Sequence, residues 1–207
     1  MKKFESVFAE CPLIAILRGV RPDEVLEIGE ELIGAGFRAI EVPMNSPSPL
    51  ESIKALQKRF GDQAMIGAGT VLSVEAVEEV GRAGGRLIVM PHGDVRIVAA
   101  AKARGMICTP GVATPTEGFA ALGAGADALK LFPSEQLGPA VLKAWRSVFP
   151  KDVRFLPVGG ITPDNMMPWL EAGAAGFGLG SALYRKGDTA RTVGENARRF
   201  VSALRRG

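Results

Sequence analysis

"GAGFRAIEVP" (residues 34–43) holds the end of one structural element and the whole of another. Gly34, Ala35 and Gly36 stop an amphipathic helical pattern, and glycine supplies the left-handed turn that closes a helix. Ala39 to Pro43 then read as a short apolar strand. The same unit returns as "FGDQAMIGAGT" (60–70), "RAGGRLIVMP" (82–91), "KARGMICTPG" (102–111), "GAGADALKLFP" (123–133), "PKDVRFLPVGG" (150–160) and "EAGAAGFGLGS" (171–181). The repeat is about 20–25 residues, the length of a short helix, a strand and two tight turns. With the opening strand "LIAILRG" (13–19), eight strands are expected. Strands alternating with helices pair in parallel through right-handed crossovers. Eight such units predict a closed (β/α)8 TIM barrel, one compact domain over residues 1–207. The alternative is an open doubly wound sheet, but no G-x-G-x-x-G fingerprint follows the first strand. "NSPSPLES" (45–52) reads as a loop leading into the helix after strand two.

A hydrophobic content of 47% in 207 residues suffices for one substantial core. The net charge of +3 comes from 25 basic and 22 acidic side chains, and "ARRF" and "LRRG" place much of the excess in the last helix. That pattern is a solvated helical face; nucleic-acid binders carry a basic stripe with interleaved aromatics, so no nucleic-acid partner is expected. Cys11 and Cys108 are too few for a disulfide framework and lack metal-ligand spacing. Cys108 reads as a small apolar strand residue. His92 is the lone histidine, beside Pro91 and Gly93, and reads as peripheral. Histidine-based metal sites use two or three, so no such metal site is expected; no cofactor is expected either. "MKKFESVFAECP" has no apolar signal-peptide core, and no apolar run reaches membrane-spanning length. The expectation is a soluble, cytoplasmic protein with no membrane partner.

Strand alternation decides which side chains enter the barrel. In "ALKLFP", Leu129 and Leu131 pack under the helices, leaving Ala128, Lys130 and Phe132 inside. Lysine is among the residues least often buried. Desolvation disfavours its ammonium form, lowers its pKa and frees a nucleophilic amine near neutral pH. In "AIEVP", Ile40 and Val42 face outward, and Ala39, Glu41 and Pro43 face inward. Arg18 ends strand one and Thr70 ends strand three. Catalytic groups of barrels sit at the C-terminal ends of several different strands, where Lys130, Glu41, Arg18 and Thr70 all fall. A structural Lys130–Glu41 ion pair filling the barrel is the competing explanation, although desolvation cancels much of such a pair's attraction.

Strand seven ends "PVGGITPDN" and strand eight reads "GFGLGS". Gly159 and Gly160 allow close backbone approach to a ligand, and Thr162-Pro163 has the form of a helix start. Gly178, Gly180 and Ser181 offer backbone N–H groups and a hydroxyl at what reads as the start of the final helical region. Glycine loops after strands seven and eight form the recurrent phosphate site of barrels, which points to a small phosphorylated substrate.

"EVPMNSP", "IGAGTVL", "ALKLFPSE", "PVGGITPDN" and "GLGSALY" together resemble the class I 2-keto-3-deoxy-6-phosphogluconate/galactonate aldolases, from Leu13 to about Arg185. The resemblance implies a homotrimer of (β/α)8 barrels, no metal, Lys130 as the Schiff-base lysine and Glu41 as the proton shuttle. It implies cleavage of a phosphorylated six-carbon keto acid to pyruvate and glyceraldehyde 3-phosphate. Arg18 and Thr70 would hold the pyruvyl carboxylate, and Gly159, Gly160, Gly180 and Ser181 the phosphate. "MNSP" and "PVGG" stand where the gluconate enzymes carry "L-R-T" and "P-T-G-G", so the chain is similar to the galactonate branch. Asn45 replaces a carboxylate-binding arginine, a role Arg18 would take over. Val158 faces inward with Leu156 and replaces a threonine that can hydrogen-bond the C4 hydroxyl. The alternatives are cleavage of the gluconate epimer or an unphosphorylated analogue, a sugar-phosphate isomerase or epimerase using Glu41 as base, and a non-catalytic ligand-binding barrel.

Overall fold

The computed structural model describes residues 4–205; the first three residues of "MKKFESVFAECP" and the last two of "LRRG" lie outside the described residues. In "GAGFRAIEVP", helix α2 (Val25–Ala35) stops at Gly36, whose φ of 108° lets its N–H return to the Ile33 carbonyl. Strand β2 (Ala39–Pro43) starts three residues later and is buried along its whole length.

The unit repeats around a closed ring. Strands β1 (Leu13–Ile16), β2, β3 (Met65–Gly69), β4 (Leu87–Val89) and β5 (Ile107–Thr109) pair in parallel, and β9 (Phe177–Leu179) flanks β1 on its other side. A second parallel run holds β6 (Gly111–Val112), β7 (Leu129–Leu131) and β8 (Phe155–Pro157). A parallel bridge between Val158 and Gly178 joins β8 to β9, and the chain through Pro110 joins β5 to β6. β5 and β6 are the expected fifth strand in two pieces. Proline has no N–H for the ladder, yet the Pro110 carbonyl still accepts the Lys130 N–H at 2.9 Å.

Helices α3 (Pro49–Phe60), α4 (Val74–Arg82), α5 (Val95–Ala103), α6 (Pro115–Gly123), α7 (Ser134–Trp145), α8 (Met166–Glu171) and α9 (Ala190–Leu204) complete the units with α2. Short polar side chains start several of them: the Ser73 hydroxyl accepts the Ala76 N–H of α4, and Thr114 and Glu117 form a reciprocal cap on α6. The outward strand residues Ile40, Val42, Ile66, Ile88, Leu129 and Leu131 form the core beneath this helical layer.

A separate apolar cluster fills the N-terminal half of the barrel interior. Ala39, Met65, Leu87 and Leu156 point into it from four strands and Ala128 from just before β7, and helix α1 (Phe4–Glu10) closes it from below with Phe4, Val7 and Phe8. No strand repeat announces that plug. Its cue is the spacing of those three apolar residues, one face of a helical turn. Among the described residues no helix is long and apolar enough to cross a membrane.

Candidate active site

One register step above the apolar plug, the interior changes character. Glu41 pairs in register with Ile16 on one side and Gly67 on the other, and Lys130 sits between Gly111 and Leu156. Both side chains enter one cavity walled by Ile14, Ile16, Val89, Leu156 and Val158. Glu41 is 2% exposed and Lys130 5% exposed, so neither is hydrated as a surface charge is.

Room for the carboxylate comes from Gly69, where any Cβ would collide with the Glu41 carboxyl group. The Oε2 atom of Glu41 is buried without a hydrogen-bond partner among the described residues. Burial pushes the Glu41 carboxyl up to about 7, against the pull of Lys130 and Arg18 toward the ionised form. The Lys130 ammonium is pushed down, chiefly by burial and further by Arg18, while Glu41 works the other way. The Lys130 Nζ lies 4.5 Å from the centre of the Phe132 ring, which walls it from one side. A carboxylate brought toward neutrality and an amine eased out of its charged state can exchange protons at physiological pH.

Arg18 and Thr70 meet at the rim. The Arg18 guanidinium donates to Asn45 Oδ1 at 2.7 Å and to Thr70 Oγ1 at 3.3 Å. Thr70 has a φ of 54°, a left-handed conformation that costs a non-glycine residue on the order of 1–3 kcal/mol. Asn45, standing where the resemblance places an arginine, thus orients another arginine. Arg18 itself is exposed.

Val158 is buried with Leu156 on the cavity wall, and Gly159 and Gly160 follow with φ of 109° and 62°. The Thr162 N–H donates to Asn165 Oδ1 at 2.9 Å, opening a 3-10 turn (Pro163–Asn165) that runs into α8. Gly180 and Ser181 differ from expectation. They do not begin the final helix, which starts at Ala190; they open a single turn in which the Gly180 carbonyl accepts the Leu183 and Tyr184 N–H groups. Gly187, with a φ of 93°, and Asp188, which accepts the Arg185 N–H, turn the chain again before α9. His92 is exposed, and Cys108 lies buried on the outer side of β5 with its thiol pushed up to about 12 by desolvation. Among the described residues no group of three or more His, Cys, Asp or Glu side chains is placed to hold a metal ion.

Strand alternation also sends Thr109 inward, where it lines the same cavity, fully buried. Its cue was the alternation in "MICTP", obscured by the proline that follows. Ser134 and Glu135, which touch the glycine loop from the start of α7, had no cue in the strand pattern because they lie beyond the strand.

A buried lysine and a buried carboxylate at the C-terminal mouth of a parallel barrel define a class: enzymes that attack a carbonyl with an amine and move a proton beside it. Residues 4–193 match the family described as "Aldolase: KDPG and KHG aldolase". The 2-dehydro-3-deoxy-6-phosphogalactonate aldolase of Escherichia coli (strain K12) is 49% identical over 196 residues, 95% of this chain and 96% of that one. The solved "Native KDPGal structure" superposes with a TM-score of 0.94 at 48% identity, covering 95% of this chain and 96% of that one. A KDPG aldolase from Legionella pneumophila, with pyruvate captured at low pH as a covalent carbinolamine intermediate, superposes with a TM-score of 0.83 at 28% identity, covering 98% and 96%. The chain belongs to the KDPG and KHG aldolase family.

Proposed function

We propose that the protein is a class I aldolase that cleaves 2-dehydro-3-deoxy-6-phosphogalactonate to pyruvate and D-glyceraldehyde 3-phosphate. The observation that carries this reading is that Lys130 and Glu41 share one buried, otherwise largely apolar cavity. Neutral Lys130 attacks the C2 ketone, and loss of water leaves a protonated imine. Glu41 takes the proton of the C4 hydroxyl, the C3–C4 bond breaks, and its electron pair passes into the imine to give an enamine. Glyceraldehyde 3-phosphate leaves. Glu41, now a neutral acid, returns its proton to C3, and hydrolysis of the resulting imine frees pyruvate and Lys130. Because burial holds the Glu41 carboxyl near neutrality, one group serves as base and then as acid.

Arg18, steadied by Asn45 and Thr70, holds the pyruvyl carboxylate, with Thr70 at its side. Backbone groups of Gly159, Gly160, Gly180 and Ser181 hold the phosphate, the positive φ of the first two opening the chain for close approach. Val158 presents only methyl groups near C4, which favours the galactonate epimer over the gluconate one by withholding a hydrogen bond. One domain carries the whole site and needs neither metal nor cofactor. The assembly we propose is a cytoplasmic homotrimer, for which Leu72 in the loop after β3 and Val95 at the start of α5, 58% and 41% exposed, offer apolar surface.

The test is borohydride reduction in the presence of pyruvate, followed by peptide mass measurement. One reduced pyruvyl group on Lys130, formed equally with a chelator present, is the expected result. An unmodified Lys130 under turnover conditions would sink the Schiff-base mechanism, and activity lost to a chelator would point to a metal.

A further inference from the structure

The corner that begins α7 touches the glycine loop at several points, and Lys130 lies four residues before it. The ladder between β7 and β8 ends at Leu131 and Pro157. Beyond it, the Val158 N–H donates to the Leu131 carbonyl at 3.0 Å, and the Ser134 N–H donates to the Val158 carbonyl at 3.0 Å. The Ser134 hydroxyl then donates to the Gly159 carbonyl. Ser134 is 1% exposed, so this hydroxyl is committed to that contact and not to solvent. The Glu135 side chain lies flat on the next two residues: a Cβ on Gly159 would stand 2.9 Å from its Cδ, and one on Gly160 2.6 Å from its Cγ. On the far side, Asn165 Nδ2 donates to the Gly160 carbonyl at 2.8 Å.

We infer that Ser134 is a positioning residue: its hydroxyl sets the glycine loop after β8 in register with the strand that carries Lys130. The inference rests on the proposed function, in which the substrate is gripped at both ends. Its C2 is bonded to Lys130, and its phosphate, four carbons away, sits on the Gly159-Gly160 loop. A substrate held at two points gains the full binding of both grips only if their separation is held to within about half an ångström of its own length. Gly159 and Gly160 have no side chains of their own to fix that separation. The route through Ser134 is short, joining nucleophile to loop by four residues of chain and one side-chain hydrogen bond. Lys130 itself is held by strand pairing and by the cavity wall, none of which involves the Ser134 hydroxyl.

A merely structural Ser134 would affect every reaction of Lys130 alike, whereas a positioning Ser134 affects only substrates that carry the phosphate. Pyruvate, which has none, is the internal control. Ser134→Ala, a one-atom deletion, is compared with wild type in three measurements: borohydride trapping with pyruvate, cleavage of the phosphorylated sugar acid, and cleavage of the same acid without its phosphate. The expected result is a KM for the phosphorylated acid raised about three- to tenfold, the worth of one hydrogen bond, with kcat changed less than about twofold. Pyruvate trapping and cleavage of the unphosphorylated acid stay at wild-type rates. Equal losses in all three measurements, or a variant that fails to fold, would give Ser134 an ordinary structural role and overturn the inference. So would three unchanged rates. If wild type itself showed no preference for the phosphorylated acid, the phosphate site of the proposed function would fall, and this inference with it. If wild type keeps the preference and Ser134→Ala leaves it intact, the inference alone fails.

Discussion

The two halves of the barrel interior are built from the same strands, yet one is inert and the other reactive. Along β2 the difference is Ala39 against Glu41, and at β7 it is Ala128, just before the strand, against Lys130 within it, in each case a single step of two residues. The lower half is sealed by Phe4, Val7 and Phe8 from α1, with the Phe4 and Phe8 ring centres 4.4 Å apart. Its lining is apolar throughout, so it offers a water molecule no hydrogen-bond partner. The upper half is buried as well but holds two ionisable groups, and that burial is what shifts them.

The sharpest way to break this contrast is to remove the upper charge without changing its shape. Glu41→Gln should still trap pyruvate on Lys130 with borohydride, yet lose about 10²–10⁴ in cleavage rate. Turnover close to wild type would reduce Glu41 to a structural residue. The same variant tests the burial of the upper half. Burial lifts folded Glu41 from 4.5 to about 7, so between those values the native state binds more protons than the unfolded one. Wild type should lose stability relative to Glu41→Gln as pH rises from 4.5 to about 7, and the gap should level off above that. Denaturant titrations of both proteins across this range measure it, and a gap independent of pH would place Glu41 in a solvated setting.

A cut in the lower half has a different signature. Phe8→Ala should cost about 3 kcal/mol of stability by opening a cavity under the barrel. Well below its melting temperature, it should still trap pyruvate on Lys130. If trapping vanished while the protein remained folded, the halves would be chemically coupled and the floor would be part of the site.

The smallest effect expected lies at the cavity wall. Val158→Thr adds a hydroxyl that can reward the gluconate epimer, worth about 1–3 kcal/mol when buried. The ratio of kcat/KM for phosphogluconate over phosphogalactonate should rise about tenfold. An unchanged ratio would remove Val158 from the discrimination, and a wild-type preference for phosphogluconate would reverse the choice of substrate.

What the sequence determined by itself is whatever follows from a local period. Helix ends marked by glycine, seven repeats of one junction and alternation along each strand were enough for the parallel barrel and for the inward direction of Glu41, Lys130 and Val158. Side-chain direction in a strand depends only on parity, and parity survives any tertiary context. Three things were decided only in the tertiary structure. Phe4, Val7 and Phe8 seal the barrel because distant strands leave an apolar opening beneath them. Arg18 meets Asn45 and Thr70 because β1, β2 and β3 end side by side, although these residues are 27 and 52 positions apart in the chain. Ser134 reaches the Gly159 carbonyl across 25 residues. A hydrogen bond acts over about 3 Å, so a periodic pattern can say which way a side chain points but not what waits there; only closure of the ring brings strand ends close enough to decide it.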